Sequence, residues 1–120
     1  MHITKEYLNN HPNHIFVYGD NIIHKGLGGA AKLRYVKNTY GFITKKYPNT
    51  NINSYFTIEE YKPIFNQELN KLIKEIQNNP TKIYLISRLG AGLANKFGIY
   101  EAIIKNGLEV LKQFNNVKFI

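Results

Sequence analysis

Ile15-Phe16-Val17-Tyr18 runs into Gly19-Asp20-Asn21 and then Gly26-Leu27-Gly28-Gly29-Ala30-Ala31. Further along, Ile83-Tyr84-Leu85-Ile86 runs into Ser87-Arg88-Leu89-Gly90-Ala91-Gly92-Leu93-Ala94. A short, unbroken apolar run bounded by turn residues reads as a strand covered on both faces, as in a parallel sheet. A Gly-rich loop after such a strand, opening into a helix, is how α/β proteins build phosphate sites. Glycine has no Cβ, so the backbone can approach an anion and turn N–H groups toward it. The positive end of the helix dipole then favours negative charge. Two such loops in one chain predict a single ligand with more than one phosphate or ribose to hold. Neither loop is a P-loop, since no Gly-Lys-Ser/Thr closes it, and neither is a clean G-x-G-x-x-G.

Working outward from these loops, residues 1–13 form a polar lead-in, with a brief helical turn over Thr4–Leu8 and a turn at His11-Pro12-Asn13. His14–Tyr18 is the first strand, and Gly29–Lys37 is expected as a short helix whose Ala30 and Ala31 permit close packing. Gly41–Thr44 fits a short strand, and the polar stretch Lys45–Ser54 a loop. Thr57-Ile58-Glu59-Glu60 is a capping box. Pro63 follows it closely, so that helix is expected to start twice, with its main body opening at Pro63. Ile64, Phe65, Leu69, Leu72, Ile73 and Ile76 then form one apolar stripe. Lys82–Ile86 is a strand, Tyr100–Phe114 a helix and Val117–Ile120 a last strand. Alternating strands and helices give an α/β sandwich, one domain over residues 1–120.

The chain of 120 residues is long enough for a real core, with 43% hydrophobic and 20% charged residues. Cysteine is absent, which removes disulfides, thiolate nucleophiles and Cys-ligated metals. No apolar run reaches the length of a membrane span, and Met1-His2-Ile3-Thr4-Lys5-Glu6 lacks the apolar segment of a signal peptide. The expectation is a cytoplasmic protein with no membrane partner. A net charge of +8 favours polyanionic partners, nucleotides or nucleic acid, although the 16 basic residues are scattered and chiefly solvate the surface.

Ligands of open α/β sheets lie at the carboxyl ends of the strands, where both loops sit. That rim gathers Asp20, Asn21, His24, Ser87 and Arg88. Asp20 reads either as a general base that activates water or as a turn cap. Asn21 suits a ribose hydroxyl. His24 reads as a general acid or phosphate donor, or as an exposed loop histidine. Lys25 offers a point charge, and Arg88 a planar fork for phosphate or a structural pair with Asp20 or Glu101. Thr44 and Lys45 bring a hydroxyl and a charge to the same rim. Tyr55, Phe56 and Tyr100 either cover a base or pack. His2, His11, His14 and His24 form no metal pair, and no serine occupies a Gly-x-Ser-x-Gly elbow; no metal and no cofactor is expected.

Together, Val17-Tyr18-Gly19-Asp20-Asn21, Gly26-Leu27-Gly28-Gly29-Ala30-Ala31, Thr44-Lys45-Lys46 and Ser87-Arg88-Leu89-Gly90-Ala91-Gly92-Leu93-Ala94 resemble a small group of bacterial and phage proteins similar to macro domains, the ADP-ribose-binding modules. The resemblance implies a three-layer domain with a mostly parallel central sheet flanked by helices. It places a diphosphate between a first loop (Gly26, Gly28, Gly29) and a second (Gly90, Ala91, Gly92), with Asn21 near the distal ribose; Ala30 and Leu93, next to these loops, are also expected to touch the ligand. The Asn-Ala-Ala-Asn stretch of macro domains is missing, and Asp20 and Arg88 have no counterpart. The implied function is binding of ADP-ribose or a related NAD-derived nucleotide. A catalytic form would hydrolyse an ADP-ribosyl bond or a terminal ribose phosphate, with Asp20 and His24, read from the residues themselves, as the catalytic pair. The alternatives are a non-catalytic reader or sequesterer, and a basic nucleic-acid-binding protein. If phage-encoded, the protein would act in the host cytoplasm. Oligomeric state is left open by the sequence.

Overall fold

In the computed structural model, which describes residues 2–120, four parallel strands form one sheet in the order β2-β1-β3-β4. They are β1 (His14–Asn21), β2 (Thr39–Lys45), β3 (Ile83–Ile86) and β4 (Val117–Phe119). The sheet is wholly parallel rather than mostly so. Met1, part of the predicted lead-in, lies outside the described residues.

This strand order explains the two faces. From β1 the chain steps outward to β2, then crosses back over β1 to reach β3 and continues to β4. Right-handed crossovers in opposite directions must lie on opposite faces of a sheet. Accordingly Phe16, Tyr18 and Leu85 pack with Ile3, Leu8, Ala31 and Leu33 on one face. Ile15, Val17, Tyr84 and Ile86 pack on the other face with the long helix α2 (Ile58–Asn78) and with Ile104, Leu108 and Leu111 of the last helical segment. Strands covered on both sides need apolar residues at every position, which is why β1 and β3 read as unbroken runs.

Two asparagines tie the strand starts to the preceding turns. Asn38 Nδ2 donates to the carbonyls of Leu8, His11 and His14. Asn116 Nδ2 does the same for Ile76, Asn79 and Lys82. Each amide satisfies carbonyls left over at chain reversals, where buried acceptors would otherwise lack partners.

Several elements differ from the sequence reading. The expected turn at Thr4–Leu8 is a short helix, α1 (Lys5–Asn10), capped by the Thr4 side chain. The expected helix Gly29–Lys37 is only a 3-10 turn, Gly29–Leu33. Helix α2 does not restart at Pro63: it runs unbroken from the capping box at Thr57, with Pro63 inside its early turns. There the proline forgoes one backbone donor, while its φ suits the helix. The expected helix Tyr100–Phe114 changes winding along its length. It has a wide π turn over Tyr100–Ile104, one α turn over Lys105–Gly107 and a tight 3-10 stretch over Leu108–Gln113. Gly107 seats this segment on α2, for a Cβ there would run into the Phe65 ring.

Candidate functional site

The topology creates the site. The connections leaving β1 and β3 diverge, one toward β2 and one toward β4, so a crevice opens between the carboxyl ends of the two central strands. The two Gly-rich loops flank that crevice. Their walls enclose a cleft of about 350 Å3, within the roughly 300–1,000 Å3 of small-molecule sites.

Of the residues singled out from the sequence, Asp20, Asn21, Gly26, Gly28, Gly29, Ala30, Thr44, Lys45, Arg88, Gly90, Gly92 and Leu93 all line this cleft. Lys25 and Ser87 do so as well. Two candidates stand elsewhere. Ala91 is not on the wall; its N–H closes a turn onto the Arg88 carbonyl at 3.1 Å. His24 faces a second groove beside β2.

The first loop is held from beneath. Asn21 Nδ2 donates to the Lys25 carbonyl at 2.7 Å. Arg34 donates from Nε to the Gly26 carbonyl at 3.0 Å and from Nη2 to the Lys25 carbonyl at 3.1 Å. Its Nη1 reaches Asp20 Oδ1 at 2.7 Å. Asp20 Oδ1 also accepts the Asn21 N–H at 2.8 Å, and Oδ2 meets His24 Nδ1 at 2.7 Å. Asp20 is thus the floor of the loop, with both oxygens engaged. Gly41 on β2 makes room for it: a Cβ there would collide with the Asp20 carboxylate.

Arg34 was not among the sequence candidates. Its partner is 14 positions away in the chain, beyond helical spacing. Arg88, for which a pair with Asp20 or Glu101 was one reading, pairs with neither; it lies over the Tyr100 ring at 5.4 Å from the centroid. Of the aromatics, Phe56 is core, while Tyr55 carries Lys45 and Lys96 over its ring at 4.6 and 5.5 Å.

Among the described residues lining the cleft, Asp20 is the one carboxylate, and Arg34 balances it. Lys25, Lys45 and Arg88 leave the cleft with an excess of positive charge. The backbone N–H groups of Leu27, Gly28, Gly29 and Ala30, and of Gly90, Gly92 and Leu93, donate to no acceptor among the described residues. Such unspent donors beside cations are the equipment of an anion site. Gly26, Gly29 and Gly90 have φ of 94°, 56° and 74°, which side chains disfavour. Gly28 and Gly92 differ. Neither lies in the left-handed region, and a Cβ on either would meet no protein atom within 4 Å.

Among the described residues no set of three metal-ligating side chains gathers, and no helix is long and apolar enough to cross a membrane. No curated protein and no solved structure matches the chain. A family model described as a family of unknown function (DUF7831) matches residues 1–96, both Gly-rich loops included, and the chain belongs to that family.

Proposed function

We propose that the cleft binds a diphosphate-bearing nucleotide, ADP-ribose or a related NAD-derived molecule, between the two Gly-rich loops. The observation that carries this reading is the pair Gly28 and Gly92. Neither backbone geometry nor packing requires glycine at either position. Space kept clear on both walls of a cationic cleft is space for a ligand's phosphates to reach the backbone. Two donor-rich loops facing one crevice support a diphosphate. ADP-ribose comes from the resemblance to macro domains.

Catalysis is a further step, hydrolysis of an ADP-ribosyl bond or a terminal ribose phosphate with Asp20 orienting water. The non-catalytic alternative, a reader or sequesterer, has an observation in its favour. Both Asp20 oxygens already accept hydrogen bonds, and the Asn21 amide is spent on Lys25. In either form the first loop is already held by Asn21 and Arg34, and such preorganisation lowers the ordering cost of binding.

Thermal denaturation with ADP-ribose, ADP and AMP tests the diphosphate assignment. A ligand that binds only the folded state raises Tm in proportion to the logarithm of its concentration over Kd. ADP-ribose and ADP are expected to raise Tm at concentrations where AMP, with one phosphate, raises it much less. Equal shifts with all three, or none, would overturn the assignment.

A further inference from the structure

Beside β2 lies a second groove of about 500 Å3, walled in part by Tyr18, Tyr35 and Tyr40. Asp20 borders both this groove and the nucleotide cleft, whereas His24 borders this groove alone. Asp20 Oδ2 and His24 Nδ1 are 2.7 Å apart. The Asp20 side chain is 3% exposed, and its other oxygen is fixed by Arg34 and by the Asn21 N–H. An ionised carboxylate only accepts, so the proton of a neutral imidazole is held on Nδ1 and the lone pair on Nε2. Nε2 has no partner among the described residues, and the His24 side chain is 63% exposed. The His24 backbone has φ 54°, in the left-handed region, and its N–H closes a turn onto the Asn21 carbonyl at 3.2 Å.

The rest of the groove suits a neutral, partly apolar guest. Glu68 and Lys71 offset one another, with 3.6 Å between Oε2 and Nζ. Burial, then the charge of Asp20, raises the Tyr18 hydroxyl above its ordinary pKa. Burial, then Glu68, pushes the Tyr40 hydroxyl up to about 12. Both stay protonated at neutral pH. On the outer edge of β2, Ile43 is sealed: its N–H donates to Glu68 Oε1 at 2.8 Å, and its carbonyl accepts from Tyr61 at 2.6 Å. Gly41, two residues earlier on the same edge, also borders the groove, and with the strand's alternation its N–H faces outward as that of Ile43 does, away from β1.

We propose that His24 is a catalytic base and Asp20 its positioning residue, and that together they activate water against a carboxylic ester resting in this groove. Nε2 takes a proton from water as the water oxygen bonds to the acyl carbon. The bond from that carbon to the alcohol oxygen breaks, and its electron pair goes to that oxygen, which receives the proton from Nε2. Water and ester are consumed, and acid and alcohol are formed. The Gly41 N–H is the donor on hand for the charge that develops on the carbonyl oxygen. Asp20 borders both sites, but His24 borders this groove alone, so this activity can be told apart from the nucleotide reading.

The test uses p-nitrophenyl acetate as probe and follows nitrophenolate release by the whole chain. Wild type is expected to show a rate that saturates with ester and rises with pH through one ionisation. His24→Asn keeps a residue that tolerates left-handed backbone and an amide that can still donate to Asp20, but lacks the ring lone pair. It is expected to lose roughly 100-fold in rate, the lower range for a general base, together with that ionisation. Asp20→Asn, if its melting curve shows a folded protein, is expected to fall between the two with a displaced pH profile. A wild-type rate that is linear in ester and matched by His24→Asn overturns the proposal. ADP-ribose binding by wild type is read separately: its absence would sink the nucleotide reading and leave the esterase result standing.

Discussion

Arg34 Nη1 lies 2.7 Å from Asp20 Oδ1, with both side chains almost wholly buried. The same guanidinium holds the Gly26 and Lys25 carbonyls, so one arginine joins the end of β1 to the first Gly-rich loop. A buried pair contributes little over an apolar substitute, but removing one partner strands the other charge. Arg34→Leu is therefore expected to cost about 3–5 kcal/mol in denaturant unfolding and to free the loop. Arg34→Lys should recover only part of this, since an ammonium cannot reproduce the fork that serves three acceptors.

The glycines divide by cause, and substitutions should divide with them. Gly28→Ala and Gly92→Ala meet open space at ordinary φ. Unfolding free energies are expected to stay within about 1 kcal/mol of wild type. Gly90→Ala meets a φ of 74° and the Ile104 side chain and should cost more, about 1–3 kcal/mol or above. Equal losses at all three positions would mean that the loops are glycine-rich for folding alone.

Much of this was legible in the chain. The unbroken runs at Ile15–Tyr18 and Ile83–Ile86 marked the central strands, and Thr57 with Glu60 marked a helix start, although the main body was expected only from Pro63. What escaped was set by tertiary contact. Gly29 enters its turn at φ 56°, and the short 3-10 piece that follows is anchored through Arg34 rather than lengthened into a helix. Gly107 approaches Phe65 closely, and the winding of the last helix changes on either side of it. The cleft residues were readable because they follow strands directly. Arg34 and Gly41 were not, because each matters only through Asp20, which lies on another element.

Gly107→Ala probes that close approach. A Cβ there runs into the Phe65 ring, so overpacking of about 1–3 kcal/mol is expected, read as a lowered Tm. No change in Tm would show that the two helices have slack between them.

The cap of α2 should respond to acid. Glu60 accepts from Lys46 at 2.7 Å and from the Thr57 N–H at 2.9 Å. Chiefly the Lys46 contact, then the Thr57 backbone bond, lower its pKa from 4.5 to about 2. A depressed carboxylate contributes stability that is complete above its unfolded pKa and is lost as pH falls through the folded one. Wild type is thus expected to exceed Glu60→Gln in stability at neutral pH, with the gap closing between about 4.5 and about 2. Denaturant midpoints measured across that window check this. A gap that persists at the acid end would assign it to shape rather than charge.

The most direct test of the two-loop site is a calorimetric titration of ADP-ribose into wild type and Gly28→Val, at moderate and at high salt. Saturable heat that survives high salt in wild type and disappears in Gly28→Val, with the variant's melting curve unchanged, is the expected result. No heat in wild type would contradict the site. So would weak heat that vanishes with salt, as binding driven by the net charge of +8 alone would do.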